Sequence, residues 1–314
     1  MTDHQRRVAV VGAGMIGQGW AITFAQAGYR IALWDPDQAA VPRAMDQVRR
    51  KLEELATAQL LSEAPGILMN RICDHATLAE AVSDADHVQE NGPEDLATRR
   101  ALFAELDALA PAQAILASST SGMRPSSFTE ALPGRGRCLV AHPANPPYLL
   151  PLVELCPSPW TTAQAMLRTR QLMLDAGRRP AALHKEVDGF ILNRLQGALL
   201  AEAFRMIGDG LTEPEDVDTV VRHALGPRWS FMGPLETIDL NAPGGIRDFC
   251  ARYGALYEAL QHQMPPRRWD AALVERIAAA RRDDLPLEDI AARQAWRDRR
   301  LAALARHQAG QTET

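Results

Sequence analysis

The hydrophobic pattern opens with a short β-branched run and then changes to a helical period. Residues 8–11 predict a buried strand. Between Met15 and Gly28 the apolar residues recur at helical spacing, and Gly28 is placed to end that helix. A second apolar run, residues 30–34, predicts the next strand and stops at Asp35. The chain therefore begins with a strand–helix–strand unit.

The same alternation continues as far as residue 141. The pattern predicts strands near residues 87–90, 114–118 and 138–141, and a helix over residues 95–109. This rhythm is typical of an α/β fold with a doubly wound, mainly parallel sheet. Ligands of such sheets bind beyond the carboxyl ends of the strands. The candidate site segments are therefore residues 90–94, 118–122 and 142 onward.

From Asp188 onward the pattern is helical only. Asp188 is predicted to cap a helix that Gly208 or Gly210 ends. Thr212 and Glu215 have the spacing of a capping box for a helix up to about residue 225. Further helices are predicted over residues 246–261, 269–281 and 287–306. We expect an α/β domain over residues 1–187, followed by an all-α domain over residues 188–314.

Three glycines follow the first strand in the spacing G-x-G-x-x-G. The first allows a tight turn, the second lets a pyrophosphate approach the backbone, and the third lets the helix pack closely on the strand. A carboxylate at the end of the second strand hydrogen-bonds ribose hydroxyls and repels a 2′-phosphate, so Asp35 favours NAD over NADP. The predicted cofactor-binding residues of this Rossmann-type unit are Gly12, Gly14, Met15, Ile16, Gly17 and Asp35.

Composition and charge reduce the classes of molecule that this protein is expected to bind. The formal net charge of −5 gives no attraction of the whole chain to nucleic acid or to an anionic membrane. No apolar run approaches the roughly 18 residues of a membrane helix. The four cysteines have no paired spacing, which argues against a disulfide framework or a zinc site. We expect a cytoplasmic protein that acts on a small molecule and has no metal centre.

A histidine and a glutamate stand out in the segment AHPANPPYLLPLVELCP. His142 lies at a predicted strand end, and Glu154 lies in the next apolar run. A carboxylate that holds one ring nitrogen fixes the tautomer of a histidine and stabilises its imidazolium. Such a pair suits deprotonation of an alcohol while its hydride leaves. The residues alone leave open the alternative that His142 only ends a strand.

Several longer motifs resemble one known family. They are VGAGMIGQGWA near the start, SSTSG at residues 118–122, HPANPPYLLPLVEL at 142–155, DGFILNRLQ at 188–196, GPRWSFMGPLETIDLNA at 226–242 and AARQAWRDRRLAAL near the C-terminus. Over nearly its whole length the chain resembles the 3-hydroxyacyl-CoA dehydrogenase superfamily. Within that superfamily these motifs resemble the sequences of the lambda-crystallin or L-gulonate 3-dehydrogenase branch.

The resemblance implies roles for individual residues. It makes the histidine a general acid/base, the glutamate its orienting partner, and a serine and an asparagine hydrogen-bonding groups for the reacting oxygen. This catalytic set is His142, Glu154, Ser121 and Asn193, and the serine also touches cofactor and substrate. Glu94 and Arg99 are implied as further cofactor contacts. Arg99 stands where the family usually has lysine, which keeps the charge and changes its shape.

Two substrate classes compete. Pro151 stands where typical acyl-CoA enzymes carry lysine, and Arg228 is a candidate partner for a substrate carboxylate unless it serves a structural ion pair. The favoured function is therefore NAD-dependent oxidation of the 3-hydroxyl of a small, L-gulonate-like hydroxy acid. The basic residues 49–51 keep 3-hydroxyacyl-CoA open as an alternative substrate. A non-catalytic NAD-binding structural protein is a further alternative, and the resemblance implies a homodimer through the helical domain.

Overall fold

An eight-stranded sheet with helices dominates the first part of the computed structural model, which describes residues 6–311. The elements run in the order β1 (Arg7–Val11), α1 (Met15–Gln26), β2 (Arg30–Trp34), α2 (Ala40–Thr57), α3 (Pro65–Met69), β3 (Ile72–Asp74), α4 (Leu78–Val82), β4 (His87–Glu90), α5 (Leu96–Leu109), β5 (Ile115–Ser118), α6 (Ser126–Thr129), β6 (Cys138–Pro143), β7 (Leu152–Pro157), α7 (Ala163–Asp175) and β8 (Arg179–Ala182).

The strand order is β3-β2-β1-β4-β5-β6-β7-β8. All neighbouring strands are parallel except β6 and β7, which pair antiparallel. The predicted doubly wound, mainly parallel sheet is confirmed. The carboxyl ends of the first six strands lie along one edge, and the strand order reverses between β1 and β4. Such a switch point is where nucleotides bind in α/β sheets.

Alternate residues of β1 pack on opposite faces of the sheet. Val8 and Val10 belong to one apolar cluster, which includes residues of α1, α2 and α7. Ala9 and Val11 belong to a second cluster, which includes residues of α4 and α5. Because side chains alternate along a strand, a strand covered on both faces has to be apolar throughout. This double cover explains the continuous β-branched run at the start of the chain.

Helices alone make up the remainder of the described chain. They are α8 (Leu192–Gly208), α9 (Pro214–Val220), a π-helical turn (Val221–Leu225), α10 (Gly226–Trp229), α11 (Pro234–Leu240), α12 (Gly245–His262), α13 (Ala271–Asp284) and α14 (Ile290–Ala309). Two predicted helix starts are wrong. The helix expected from Asp188 begins at Leu192, and α9 has Glu213 rather than Thr212 at its N-cap, without a capping side chain. Within residues 6–311 no helix is both long and apolar enough to cross a membrane.

The chain divides into two compact units. One extends to Asn193 and resumes at Arg297, and the other is Arg194–Trp296. The second half of α14 therefore counts with the sheet, because Ala302 is buried in the first apolar cluster and Leu301 packs against it. The prediction divided the chain between residues 187 and 188 and placed all of α14 in the helical domain. The structure instead groups the part of α14 from Arg297 onward with the sheet.

Candidate active site

The glycine-rich loop after β1 lies tightly against the sheet on one side. Gly12 has a φ of +101°, and a Cβ added there would lie 2.8 Å from the carbonyl oxygen of Asn91. A Cβ on Gly17 would collide with the carbonyl of Gly12. On the other side the loop is open, since a Cβ on Gly14 would meet no atom within 4 Å. The backbone thus forms a cradle that fits a pyrophosphate.

The start of α1 and the end of β2 complete this cradle. Met15 and Ile16 form the first turn of α1, whose N-terminus no side chain caps. Free amides at a helix N-terminus favour an anion. Asp35 accepts the amide of Ala13 on Oδ2 at 2.8 Å and the amide of Asp37 on Oδ1 at 2.9 Å. Its carboxylate is held beside the loop by these two amides, and its contact with a ribose stays a prediction.

The peptide group of Ala13 is fixed from a second direction. Gln18 donates its side-chain amide to the Ala13 carbonyl at 3.0 Å, and Lys51 Nζ donates to Gln18 Oε1 at 2.9 Å. Lys51 also lies 5.8 Å from the centroid of the Tyr148 ring, and burial lowers its pKa. Of the basic residues 49–51, Lys51 is thus engaged with Gln18, and Arg49 pairs with Asp46 at 3.2 Å on the exposed face of α2.

His142 and Glu154 are opposite each other in the antiparallel pair of β6 and β7. Their side chains lie on the same face of the sheet, and His142 Nδ1 is 2.9 Å from Glu154 Oε2. Both side chains are buried, with exposed fractions of 8% and 1%. With Nδ1–H donating to this carboxylate, Nε2 is the ring nitrogen that carries no hydrogen in the neutral imidazole and can accept a hydrogen bond.

The second oxygen of Glu154 accepts two backbone amides at the start of α8. Oε1 lies 2.7 Å from the amide nitrogen of Ile191 and 2.8 Å from that of Leu192. Burial raises the pKa of Glu154, but the hydrogen bonds from His142 and the two amides outweigh it, so the pKa lies below its ordinary value. Glu154 is therefore ionised at neutral pH.

A strained turn aims these amides at the carboxylate. Gly189 and Phe190 both have positive φ, +75° and +52°, and a left-handed phenylalanine is rare. Phe190 is fully buried, and its ring centroid lies 5.6 Å from that of His142. The turn explains why α8 starts after residue 190 and not at Asp188. Its strained geometry sits directly against the histidine.

Ser121 and Asn193 are joined through the backbone. Asn193 Nδ2 donates to the carbonyl oxygen of Ser121 at 2.6 Å. The amide of Ser121 in turn donates to Glu94 Oε1 at 2.6 Å. Residues 190–193 thus contact all four predicted catalytic positions or carry them: the ring of His142, the carboxylate of Glu154, the Ser121 carbonyl and Asn193 itself.

Glu94 is the half-exposed acid of this region. Burial raises the pKa of Glu94, but the hydrogen bonds from the Ser121 amide, from Thr120 and from Arg99 together lower it by more. The pKa therefore lies below its ordinary value. An ionised carboxylate only accepts hydrogen bonds. Glu94 is therefore equipped to receive a ribose hydroxyl.

Arg99 lies deeper than the sequence suggested. It is 2% exposed and pairs with Glu94 at 3.1 Å and with Glu90 at 3.2 Å. Its direct contact with the cofactor stays a prediction. Glu90 was not singled out from the sequence, although it ends a predicted strand in a candidate site segment. Only the fold shows that this acid points into the protein and meets a guanidinium.

Arg228 belongs to the helical unit. It lies on α10, directly after the π-helical turn, and its Nε donates to the carbonyl of Ala224 at 3.1 Å. No ion pair of Arg228 with the described residues is found, which leaves the two terminal nitrogens of the guanidinium available. Its predicted contact with a substrate carboxylate stays a prediction.

An open glycine-rich loop with Asp35 beside it and a histidine–carboxylate pair at the same sheet edge are the features expected of an NAD-dependent oxidoreductase that acts on CH–OH groups. The sequence pattern of the 3-hydroxyacyl-CoA dehydrogenase NAD binding domain matches residues 7–187, and that of the 3-hydroxyacyl-CoA dehydrogenase C-terminal domain matches residues 189–282. The chain belongs to the 3-hydroxyacyl-CoA dehydrogenase family, and the predicted resemblance and cofactor, NAD, are confirmed.

Relatives within the family match nearly end to end. A lambda-crystallin homolog of Bos taurus is 43% identical over 303 residues, covering 95% of this chain and 94% of the relative. An L-carnitine dehydrogenase of Streptomyces coelicolor is 36% identical over 307 residues, covering 97% and 95%. The crystal structure of an NAD⁺-dependent 5-formyl-3-hydroxy-2-methylpyridine 4-carboxylic acid 5-dehydrogenase has a TM-score of 0.83 at 27% identity, covering 98% of this chain and 99% of that one.

Proposed function

We propose that the protein oxidises the 3-hydroxyl of a small, L-gulonate-like hydroxy acid to the 3-keto acid, with His142 as general base. The observation that carries the proposal is the hydrogen bond of 2.9 Å between His142 and the buried carboxylate of Glu154. That bond leaves Nε2 free to take the hydroxyl proton. NAD, when bound, supplies the nicotinamide carbon that accepts the hydride.

The proton step is the work of the protein. As the hydride leaves the substrate carbon, the O–H bond breaks, its electron pair forms the ketone, and the proton passes to His142 Nε2. The resulting imidazolium is stabilised by Glu154, whose negative charge is held in place by two backbone amides. A buried ion pair is strong when its remaining lone pairs are satisfied in this way.

Ser121 and Asn193 hold the reacting oxygen in this proposal. Asn193 uses one amide hydrogen on the carbonyl of Ser121, which leaves its second amide hydrogen for the substrate. The Ser121 backbone is fixed at both its amide and its carbonyl, so its hydroxyl starts from a fixed position. Donors placed in advance stabilise charge that develops on oxygen during the reaction.

The small-acid class is supported from two sides. The names of close relatives include L-carnitine dehydrogenase, and that of a solved relative includes a carboxylic acid. Arg228 offers a guanidinium suited to a carboxylate. The family description names acyl-CoA, which supports the alternative substrate. Against it, Lys51, one of the basic residues that could bind a CoA phosphate, is already hydrogen-bonded to Gln18.

Steady-state kinetics with NAD distinguishes the alternatives. The substrates to compare are L-gulonate, L-carnitine and 3-hydroxybutyryl-CoA, each with kcat/KM as the readout. A higher kcat/KM for a free hydroxy acid is expected, and preference for the thioester would overturn the small-acid proposal. NADH binding without turnover of any of the three between about pH 6 and pH 10 would favour the non-catalytic structural role.

We also propose a cytoplasmic homodimer that associates through the helical unit. Large apolar side chains of this unit remain open to solvent: Leu195, Val220, Phe231, Leu235, Leu240 and Leu256 are each more than half exposed. Such a surface is what a second copy would cover.

Light scattering at micromolar concentration should give twice the mass of one chain, and a monomer would contradict the proposal. All four cysteines are free thiols, as a reducing compartment requires.

A further inference from the structure

We propose that Glu90 and Arg99 are positioning residues for the nicotinamide half of the cofactor site. They touch neither reacting atoms nor substrate in this proposal, and they act through Glu94 and the loop after β5. The inference rests on the proposed function for the roles of Glu94 and Ser121. It goes beyond that function because it gives Glu90 a role, and because it gives Arg99 an indirect role in place of the predicted direct contact with the cofactor.

The carboxylate of Glu90 is the buried end of the arrangement. It is 1% exposed, and its Oε1 accepts the amide of Gly92 at 2.6 Å. Its Oε2 accepts the hydroxyl of Ser118 at 2.5 Å and Nε of Arg99 at 3.2 Å. Both oxygens are thus occupied, as burial of a charge demands. The contacts tie together the loop after β4, the end of β5 and helix α5.

The guanidinium of Arg99 has no hydrogen left for a ligand. It donates to Glu90, to Glu94 Oε2 at 3.1 Å, and to the sulfur of Met123 at 2.9 Å. It also donates to two carbonyl oxygens of the loop after β4, at 3.0 and 3.3 Å. A guanidinium carries five N–H groups, and these five contacts use them all. Any effect of Arg99 on the cofactor has to pass through the groups it holds.

Glu94 is the group through which the effect passes. Its Oε2 accepts the hydroxyl of Thr120 at 2.8 Å beside the bond from Arg99, and its Oε1 accepts the amide of Ser121. The Ser121 carbonyl accepts Asn193. A shift of Glu94 would therefore move the peptide group on which the predicted catalytic amide rests.

Sheet order places this arrangement on one half of the dinucleotide. Asp35 directly follows β2, on one side of β1, whereas Glu90 ends β4, on the other side. A dinucleotide spans the switch point between these halves. ADP would use the glycine loop and the Asp35 side alone, while NADH would use both sides. Loss of Glu90 should weaken NADH binding and leave ADP binding unchanged.

Equilibrium binding of NADH and of ADP to Glu90→Gln and Arg99→Lys tests the proposal. Glu90→Gln keeps the shape but loses the charge, so Arg99 can draw Glu94 inward. We expect NADH affinity to fall roughly 10- to 100-fold, the loss expected when one charged hydrogen bond to the cofactor is weakened. Arg99→Lys keeps the charge but has three donors, so it should retain both carboxylate contacts and lose less NADH affinity.

Arg137→Lys is the matched control. Arg137 forms a largely buried pair with Asp107 at 2.8 Å, next to the amino end of β6 and thus at the opposite sheet edge. This variant should lower the melting temperature without changing the affinity for either nucleotide. Unchanged NADH affinity in Glu90→Gln, or equal losses for NADH and ADP, would overturn the proposal. Neither probe is a hydroxy acid, so absence of turnover would count against the proposed function alone.

Discussion

His142 and Glu154 are direct partners across the only antiparallel ladder between neighbouring strands of the described sheet, with 2.9 Å between Nδ1 and Oε2. A slip of the ladder by one residue would turn Glu154 to the other face of the sheet. The register of β6 and β7 is therefore a requirement of the proposed chemistry as well as of the fold.

Replacement of His142 tests its role as base. His142→Ala should lower kcat by about 10²–10⁴-fold, the loss typical of a general base, and leave NADH affinity nearly intact. Stopped-flow turnover and NADH fluorescence measure the two quantities. His184→Ala removes an exposed histidine of the same unit and should change neither. A parallel fall of kcat and NADH affinity in His142→Ala would remove the histidine from the chemistry.

Acidification should reveal the contribution of Glu154 to stability. Its pKa in the folded protein lies below 4.5, so on lowering the pH the unfolded chain takes up the proton first. The stabilisation is full above that ordinary value and is lost as the pH falls through the lower native pKa. Glu154→Gln should cost about 1–3 kcal/mol of unfolding free energy at neutral pH. Urea unfolding should show this difference shrinking as the pH is lowered below 4.5, and a constant difference would contradict the assignment.

Asp35 should set the choice between NAD and NADP. Asp35→Ala removes the carboxylate that repels a 2′-phosphate, so the ratio of kcat/KM for NAD to that for NADP should fall. Asp37→Ala is the control, because this neighbouring acid pairs with Arg43 at 2.9 Å and accepts the amide of Ala39 at 3.0 Å. An unchanged ratio in Asp35→Ala would show that the cofactor preference comes from elsewhere.

The strained Phe190 gives a stability prediction with an unusual sign. Phe190→Ala should cost about 3–5 kcal/mol through lost packing while the strain remains. Phe190→Gly relieves the positive φ and should be more stable than the alanine variant by about 1 kcal/mol. At Phe24, equally buried within α1, the order of the two variants should reverse. Urea unfolding of the four variants decides, and the same order at both sites would show that the turn stores no strain.

Arg228 should matter for substrate binding. Arg228→Ala should raise KM for the hydroxy acid roughly 10- to 100-fold, since a charged hydrogen bond contributes about 1.5–3 kcal/mol. Arg228→Lys should recover part of this loss because it keeps the charge without the planar fork. Wild-type KM in the alanine variant would leave Arg228 with its contact to Ala224 alone.

Local patterns predicted the β–α–β start, because the glycines, the helical period and Asp35 act within one short stretch. They failed at the start of α8. There the capping carboxylate is Glu154, 37 residues before Ile191 in the sequence, so no local signal could reveal it. The sequence also could not show that Glu90 and Arg99 face inward, because burial depends on the packing of α5 against the sheet.

The return of the chain at Arg297 has a consequence for dissection of the protein. Residues 194–296 are an insertion in the nucleotide-binding unit, entered once and left once. Truncation near residue 187 would discard Leu301 and Ala302, which pack with the core of that unit. A minimal stand-alone NAD-binding module would instead keep the residues up to 193 together with those from 297 onward and leave out the insertion.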